Sequence, residues 1–111
     1  RDFQKKDGVF GRAKGFDTFC PIGPWVLRTQ STRPREIKCF VNGECRQIGN
    51  SSDMVFDVPT LVSFVSSVMT LNAGDIIATG TPSGVSGLVD GDRVVVEVEE
   101  KLACGTVRLT T

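Results

Sequence analysis

Asn42-Gly43, set between Ile37-Lys38-Cys39-Phe40-Val41 and Glu44-Cys45-Arg46-Gln47-Ile48, is the feature that most narrows what this chain can fold into. Both turn residues tolerate positive φ, so a two-residue type I′ turn joins the flanking runs as an antiparallel hairpin. The rest of the chain is read outward from that hairpin. Upstream, Trp25-Val26-Leu27 is a short extended apolar run, and the polar stretch from Arg28 to Glu36, with Pro34 inside it, is a connection. Residues 1–23 are rich in charge and glycine, show no sustained period and read as loop.

Downstream, Gly49-Asn50-Ser51-Ser52-Asp53 reads as a loop, after which the period changes. Leu61, Phe64, Val65, Val68 and Met69 form one apolar stripe at helical spacing. Asp57 is placed to cap that helix, Pro59 fits a first turn that needs no amide donor, and Asn72-Ala73-Gly74-Asp75 ends it. Ile76 to Thr79 has the composition of a buried strand, and a glycine-rich turn runs from Gly80 to Gly87. Val94 to Glu99 alternates after the Asp90-Gly91 turn, and Ala103 to Leu109 offers a final strand. The expectation is one mainly β domain with one helix, an α+β arrangement without internal repeats.

A length of 111 residues is about one small domain, so no second domain is expected. Thirteen basic residues cancel thirteen acidic ones, which leaves no electrostatic footprint for nucleic acid or an anionic membrane. The apolar runs fall well short of the roughly 20 residues that span a bilayer, nothing at the start resembles a signal peptide, and the expected location is the cytoplasm. Cys20, Cys39, Cys45 and Cys104 form no C-x-x-C pair and the chain has no histidine, so buried free thiols are expected rather than a zinc site. A Cys39 to Cys45 bridge across the hairpin is conceivable only outside a reducing compartment.

Two short runs carry the candidate chemistry. Lys14-Gly15-Phe16-Asp17-Thr18-Phe19-Cys20-Pro21 presents an ammonium in a glycine-flanked segment, able to hold a carboxylate or stabilise an enolate oxygen. A solvated surface lysine is the plainer alternative. Thr79-Gly80-Thr81-Pro82-Ser83-Gly84-Val85 follows an apolar run, and the Thr81 hydroxyl with the amides of Gly80 and Thr81 can bind a carboxylate or carbonyl oxygen. Ordinary turns use the same residue types.

The stretch from Ala13 to Trp25 together with the 79–85 run resembles the fumarylacetoacetate hydrolase family, as do Val41-Asn42-Gly43-Glu44 and Met54-Val55-Phe56, in the family's order and spacing. The resemblance covers nearly all of residues 1–111. It implies the C-terminal portion of a fumarylacetoacetate hydrolase-like catalytic domain, part of a β-roll, from enzymes that are dimers when complete. By the same match, Lys14 is the active-site lysine and Thr81 a substrate contact. Arg1-Asp2-Phe3-Gln4 resembles the run in which the family's arginine clamps a carboxylate and its glutamine donates to a carbonyl, which assigns those roles to Arg1 and Gln4.

The implied activity is that of a divalent-metal-dependent enzyme on a small dicarbonyl acid such as an acylpyruvate, a fumarylacetoacetate-like acid or oxaloacetate. Cleavage, decarboxylation and tautomerisation share a metal-stabilised enolate, and the motifs do not choose among them. The resemblance places the magnesium or manganese ligands, two glutamates and an aspartate, together with the catalytic histidine and its glutamate partner, upstream of residue 1. Glu97-Val98-Glu99 has Glu-x-Glu spacing, but its alternation with valine reads as a solvated strand face. The isolated 111 residues are accordingly expected to be inactive. A different class of reading is a catalytically silent β module that binds a partner chain supplying the rest of the site.

Overall fold

The computed structural model describes residues 2–23, 33–99 and 101–106. Its centre is a four-stranded antiparallel sheet in the order β2-β1-β3-β4, built from β1 (Glu36–Val41), β2 (Glu44–Asn50), β3 (Arg93–Val98) and β4 (Lys101–Thr106). The hairpin forms where expected. Asn42 and Gly43 take φ values of 52° and 87°, and Val41 pairs with Glu44 directly across the turn. Asn42 also fastens the turn to the next strand: its Nδ2 donates to Asp92 at 2.8 Å and its Oδ1 accepts from the Arg93 amide at 2.9 Å.

Register sorts the side chains of the central strands. Ile37, Cys39 and Val41 stand opposite Val98, Val96 and Val94, so one face of β1 and β3 is apolar. On the other face Lys38 stands opposite Glu97 and forms ion pairs with Glu36 at 2.5 Å and Glu97 at 3.9 Å. Val41 alone among the described residues is buried, at 3% exposure, while Ile37 on the same face is 40% exposed. The apolar face is therefore closed at the hairpin end and open at the other.

The helix α3 (Val58–Val68) begins as its sequence signals require: the Asp57 carboxylate accepts from the Thr60 amide at 2.9 Å, and a proline occupies the first turn. Leu61 and Val65 of the stripe are half-buried, but Phe64 remains 68% exposed. Beyond it the Asp75 carboxylate accepts from the Asn72 amide at 2.7 Å, closing the turn that was expected to end the helix.

Three elements differ from the sequence expectation. The opening segment is not plain loop, since α1 (Asp2–Asp7) and α2 (Gly11–Lys14) are helical. Both are too short to reveal a period, and α1 is helped by Asp2 in its first turn and Lys5 and Lys6 in its last, which complement the helix dipole. The Gly49–Asp53 stretch ends β2 and then forms a 3₁₀ turn over Ser51–Asp53, closed by a capping box between Asn50 and Asp53. Ile76 to Thr79 is not a strand, because no other segment among the described residues forms a ladder with it. The Trp25-Val26-Leu27 run and the part of the final strand beyond Thr106 lie outside the described residues.

Candidate functional site

The glycine-rich turn is held on β2, an edge strand of the sheet. β2 carries a bulge: Cys39 pairs with Gln47 and Phe40 with Cys45, which leaves Arg46 as the extra residue. A bulge breaks the alternation of side chains, and here the consecutive residues Arg46 and Gln47 both reach the same turn. Gln47 Nε2 donates to Thr81 Oγ1 at 2.8 Å, to the Pro82 carbonyl at 2.9 Å and to the Ser83 carbonyl at 3.4 Å. Arg46 Nη1 donates to Ser86 Oγ at 2.8 Å and its Nε lies 3.4 Å from Glu44.

Packing fixes the turn at two further points. Gly84 has φ +97°, and a Cβ there would overlap the Arg46 carbonyl oxygen. A Cβ on Gly49 would lie 3.1 Å from Pro82, so that pair is also close. Gly80, by contrast, has φ +99° with open space around it, so only its backbone conformation calls for glycine. Thr81 is exposed, and no acceptor among the described residues takes its hydroxyl proton. The turn thus offers a donor hydroxyl on a rigid base.

The segment that carries Lys14 is organised around aromatic rings. Phe16 packs against Phe3 at 5.5 Å and against Phe19 at 5.3 Å between centroids. The Arg12 guanidinium lies 4.2 Å from the centre of the Phe3 ring and forms a two-point pair with Asp7 at 2.8 and 2.6 Å. Lys14 closes α2, donating its amide to the Phe10 carbonyl at 2.9 Å. Its side chain is exposed, with the ammonium 5.8 Å from the Phe10 ring and no ion pair among the described residues. Gln4 is half-buried on α1, and its carbonyl accepts from the Gly8 amide at 3.0 Å.

Of the residues singled out in the sequence, Gly80 and Thr81 are adjacent in one anchored turn, and Gln4 and Lys14 belong to the aromatic segment. No hydrogen bond, ion pair or ring contact among the described residues joins these two groups. Arg1 lies outside the described residues. Gln47 was not singled out, and only the three-dimensional contact reveals it. The local cue was its place beside the hairpin, which by itself reads as ordinary strand.

The carboxylates of the Glu-x-Glu run are committed elsewhere. Glu97 faces Lys38, whereas Glu99 leaves the strand at φ 50° and takes Arg33 at 2.9 Å and Arg35 at 2.6 Å on one oxygen. No group of three histidine, cysteine, aspartate or glutamate side chains among the described residues has the spacing to hold a metal ion. The donor set described here does not fit a divalent cation. Cys45 stands opposite Phe40 rather than Cys39, so the two thiols face different sides of the sheet, and both are free.

Comparison with known proteins gives this geometry a context. The chain is 43% identical over 109 residues to the oxaloacetate tautomerase YisK of Bacillus subtilis, covering 89% of this chain and 36% of that protein. A solved structure named 5-carboxymethyl-2-hydroxymuconate delta-isomerase, from Mycobacterium smegmatis, superposes with a TM-score of 0.92 at 45% identity, covering 97% of this chain and 44% of the other. A maleylpyruvate hydrolase from Sphingobium sp. SYK-6, in complex with manganese (II) ion and pyruvate, superposes with a TM-score of 0.78 at 41% identity over 84% of this chain and 37% of the other. The chain spans about two-fifths of the length of the curated relatives it matches. Residues 1–110 match the family described as fumarylacetoacetate (FAA) hydrolase C-terminal, and the chain belongs to the fumarylacetoacetate hydrolase family.

Proposed function

We propose that this chain is the C-terminal part of the catalytic domain of an enzyme that cleaves, decarboxylates or tautomerises a small dicarbonyl acid of the acylpyruvate or oxaloacetate class. The observation that carries the reading is the Thr81 hydroxyl, held on β2 by Gln47 with no acceptor among the described residues for its own proton, in a chain of this family. Relatives named as an oxaloacetate tautomerase, an oxaloacetate decarboxylase and a maleylpyruvate hydrolase support the substrate class and leave the reaction type among tautomerisation, decarboxylation and cleavage open.

In this reading Thr81 and the neighbouring amides bind a substrate carboxylate, Arg1 pairs with the distal carboxylate and Gln4 donates to a carbonyl. The exposed ammonium of Lys14, without an ion pair among the described residues, stabilises negative charge as it develops on the substrate oxygen. A cation of the kind present in the maleylpyruvate hydrolase complex would be held by groups other than those described here. The working enzyme is proposed to be a cytoplasmic homodimer.

The test is made in the full-length protein. Lys14→Ala is expected to lower kcat for oxaloacetate or an acylpyruvate by about a hundredfold or more, the size typical of losing one preorganised group that stabilises developing charge. Near-normal turnover would return Lys14 to the status of a surface residue.

A further inference from the structure

We propose that Gln47 is a positioning residue that sets the polarity of the Thr81 hydroxyl, keeping it a hydrogen-bond donor toward an anionic oxygen of the substrate. The inference rests on the reading of Thr81 as a substrate contact. It begins with the partners of one side-chain end. The Gln47 terminus that meets Thr81 also meets the carbonyl oxygens of Pro82 and Ser83. Carbonyl oxygens only accept, so that terminus is the NH₂ group and not the amide oxygen. Thr81 Oγ1 must therefore accept from Gln47. A hydroxyl that accepts in this way still has its own proton to give, and Thr81 is exposed with no acceptor among the described residues to take it.

The rest of the turn is fixed independently of this bond. Arg46 holds Ser86, Gly84 sits against the Arg46 carbonyl, and Pro82 packs on Gly49. The bulge makes the arrangement possible, since in a regular strand Arg46 and Gln47 would point to opposite faces. Gln47 is thus the one described group whose chemistry decides whether Thr81 gives or accepts. Reversing that chemistry at nearly constant side-chain size is the direct test, with the Ser86, Gly84 and Pro82 contacts still seating the turn when the Pro82 and Ser83 carbonyls lose their donor.

In the full-length enzyme, Gln47→Glu replaces a donor with an acceptor of nearly the same size. The new carboxylate would draw the Thr81 proton to itself and oppose an incoming anion. KM for a dicarbonyl acid is expected to rise about tenfold or more, as for loss of a hydrogen bond to a charged group, while kcat changes much less. Calorimetric titration with pyruvate, read without turnover, should weaken in parallel. In a Thr81→Val background the part of the Gln47→Glu effect that acts through the hydroxyl is lost, so the added KM increase should be several-fold smaller, leaving only the repulsion between the new carboxylate and the anion.

Gln47→Met, which removes the donor without adding charge, gives a second cycle if Gln47→Glu fails to fold, and is expected to give a smaller KM increase that, having no charge repulsion in it, largely vanishes without the hydroxyl. Equal, additive losses with and without the Thr81 hydroxyl would overturn the proposal and leave Thr81 as a substrate contact. An unchanged KM and pyruvate affinity in Thr81→Val would instead sink the substrate role itself, and this proposal with it.

Discussion

Single aspartates at the edges of the elements tie this fold to pH. Hydrogen bonding from Thr60, through its side chain and then its backbone amide, holds the Asp57 carboxyl below its ordinary value. Asp92 is lowered first by the Val89 amide and then by the Asn42 side chain, whose hydrogen bond also fastens the hairpin turn to β3. A carboxyl whose folded value is depressed contributes its stability above the unfolded aspartate value of about 3.9, and that contribution is lost as pH falls through the depressed folded value. Asp57→Ala in the full-length protein should therefore melt below the parent by a constant margin at neutral pH. The margin should begin to shrink at about pH 4, where the carboxylate of the unfolded parent starts to protonate, and be lost as pH falls through the depressed folded value. A margin independent of pH down to acid unfolding would mean that the charge at position 57 does not contribute.

At the scale of elements, the contact between the glycine-rich turn and β2 sets the geometry of the candidate site. Gly80 and Gly84 share nearly the same positive φ, yet only Gly84 lies against the backbone of Arg46. The pair separates conformational strain from close approach. Alanine at either position should incur the left-handed penalty of about 1–3 kcal/mol, whereas Gly84→Ala must also push the turn off the strand. Chemical denaturation should show Gly84→Ala to be the more destabilising substitution. Equal losses would imply that the turn yields without resistance and that its seating on β2 contributes little.

At the scale of the whole molecule, the balance of covered and open surface is unusual. A compact monomer of 12.0 kDa exposes about 6,000 Å² by the usual scaling, but this chain exposes 9392 Å². The excess includes Phe64 on α3, along with Ile37 and Val96 on the sheet's apolar face. Surface of that kind drives association when nothing covers it. Expressed alone, the 111 residues should elute as oligomers or aggregates and bind an apolar dye. A monomer with a sharp cooperative melt would show that the sheet suffices as a core.

Legibility in the sequence followed the range of the interaction. The hairpin at Asn42-Gly43 and the start of α3 at Asp57 are decided within a few residues, by backbone φ and by one carboxylate meeting a nearby amide, and both stand as expected. Family membership was equally legible, because the 14–21 and 79–85 runs are contiguous in the chain and can be read without any tertiary contact. A strand at Ile76 to Thr79 was not decidable in this way, since a strand exists only through its partner. Nor was the role of Gln47, which faces a hydroxyl 34 positions away only because one extra residue in β2 turns it there. Sequence thus determined the local turns and the chemical identity of the candidate residues. Tertiary structure decided which of those residues meet, because register, bulges and close backbone approach are properties of paired segments and not of either segment alone.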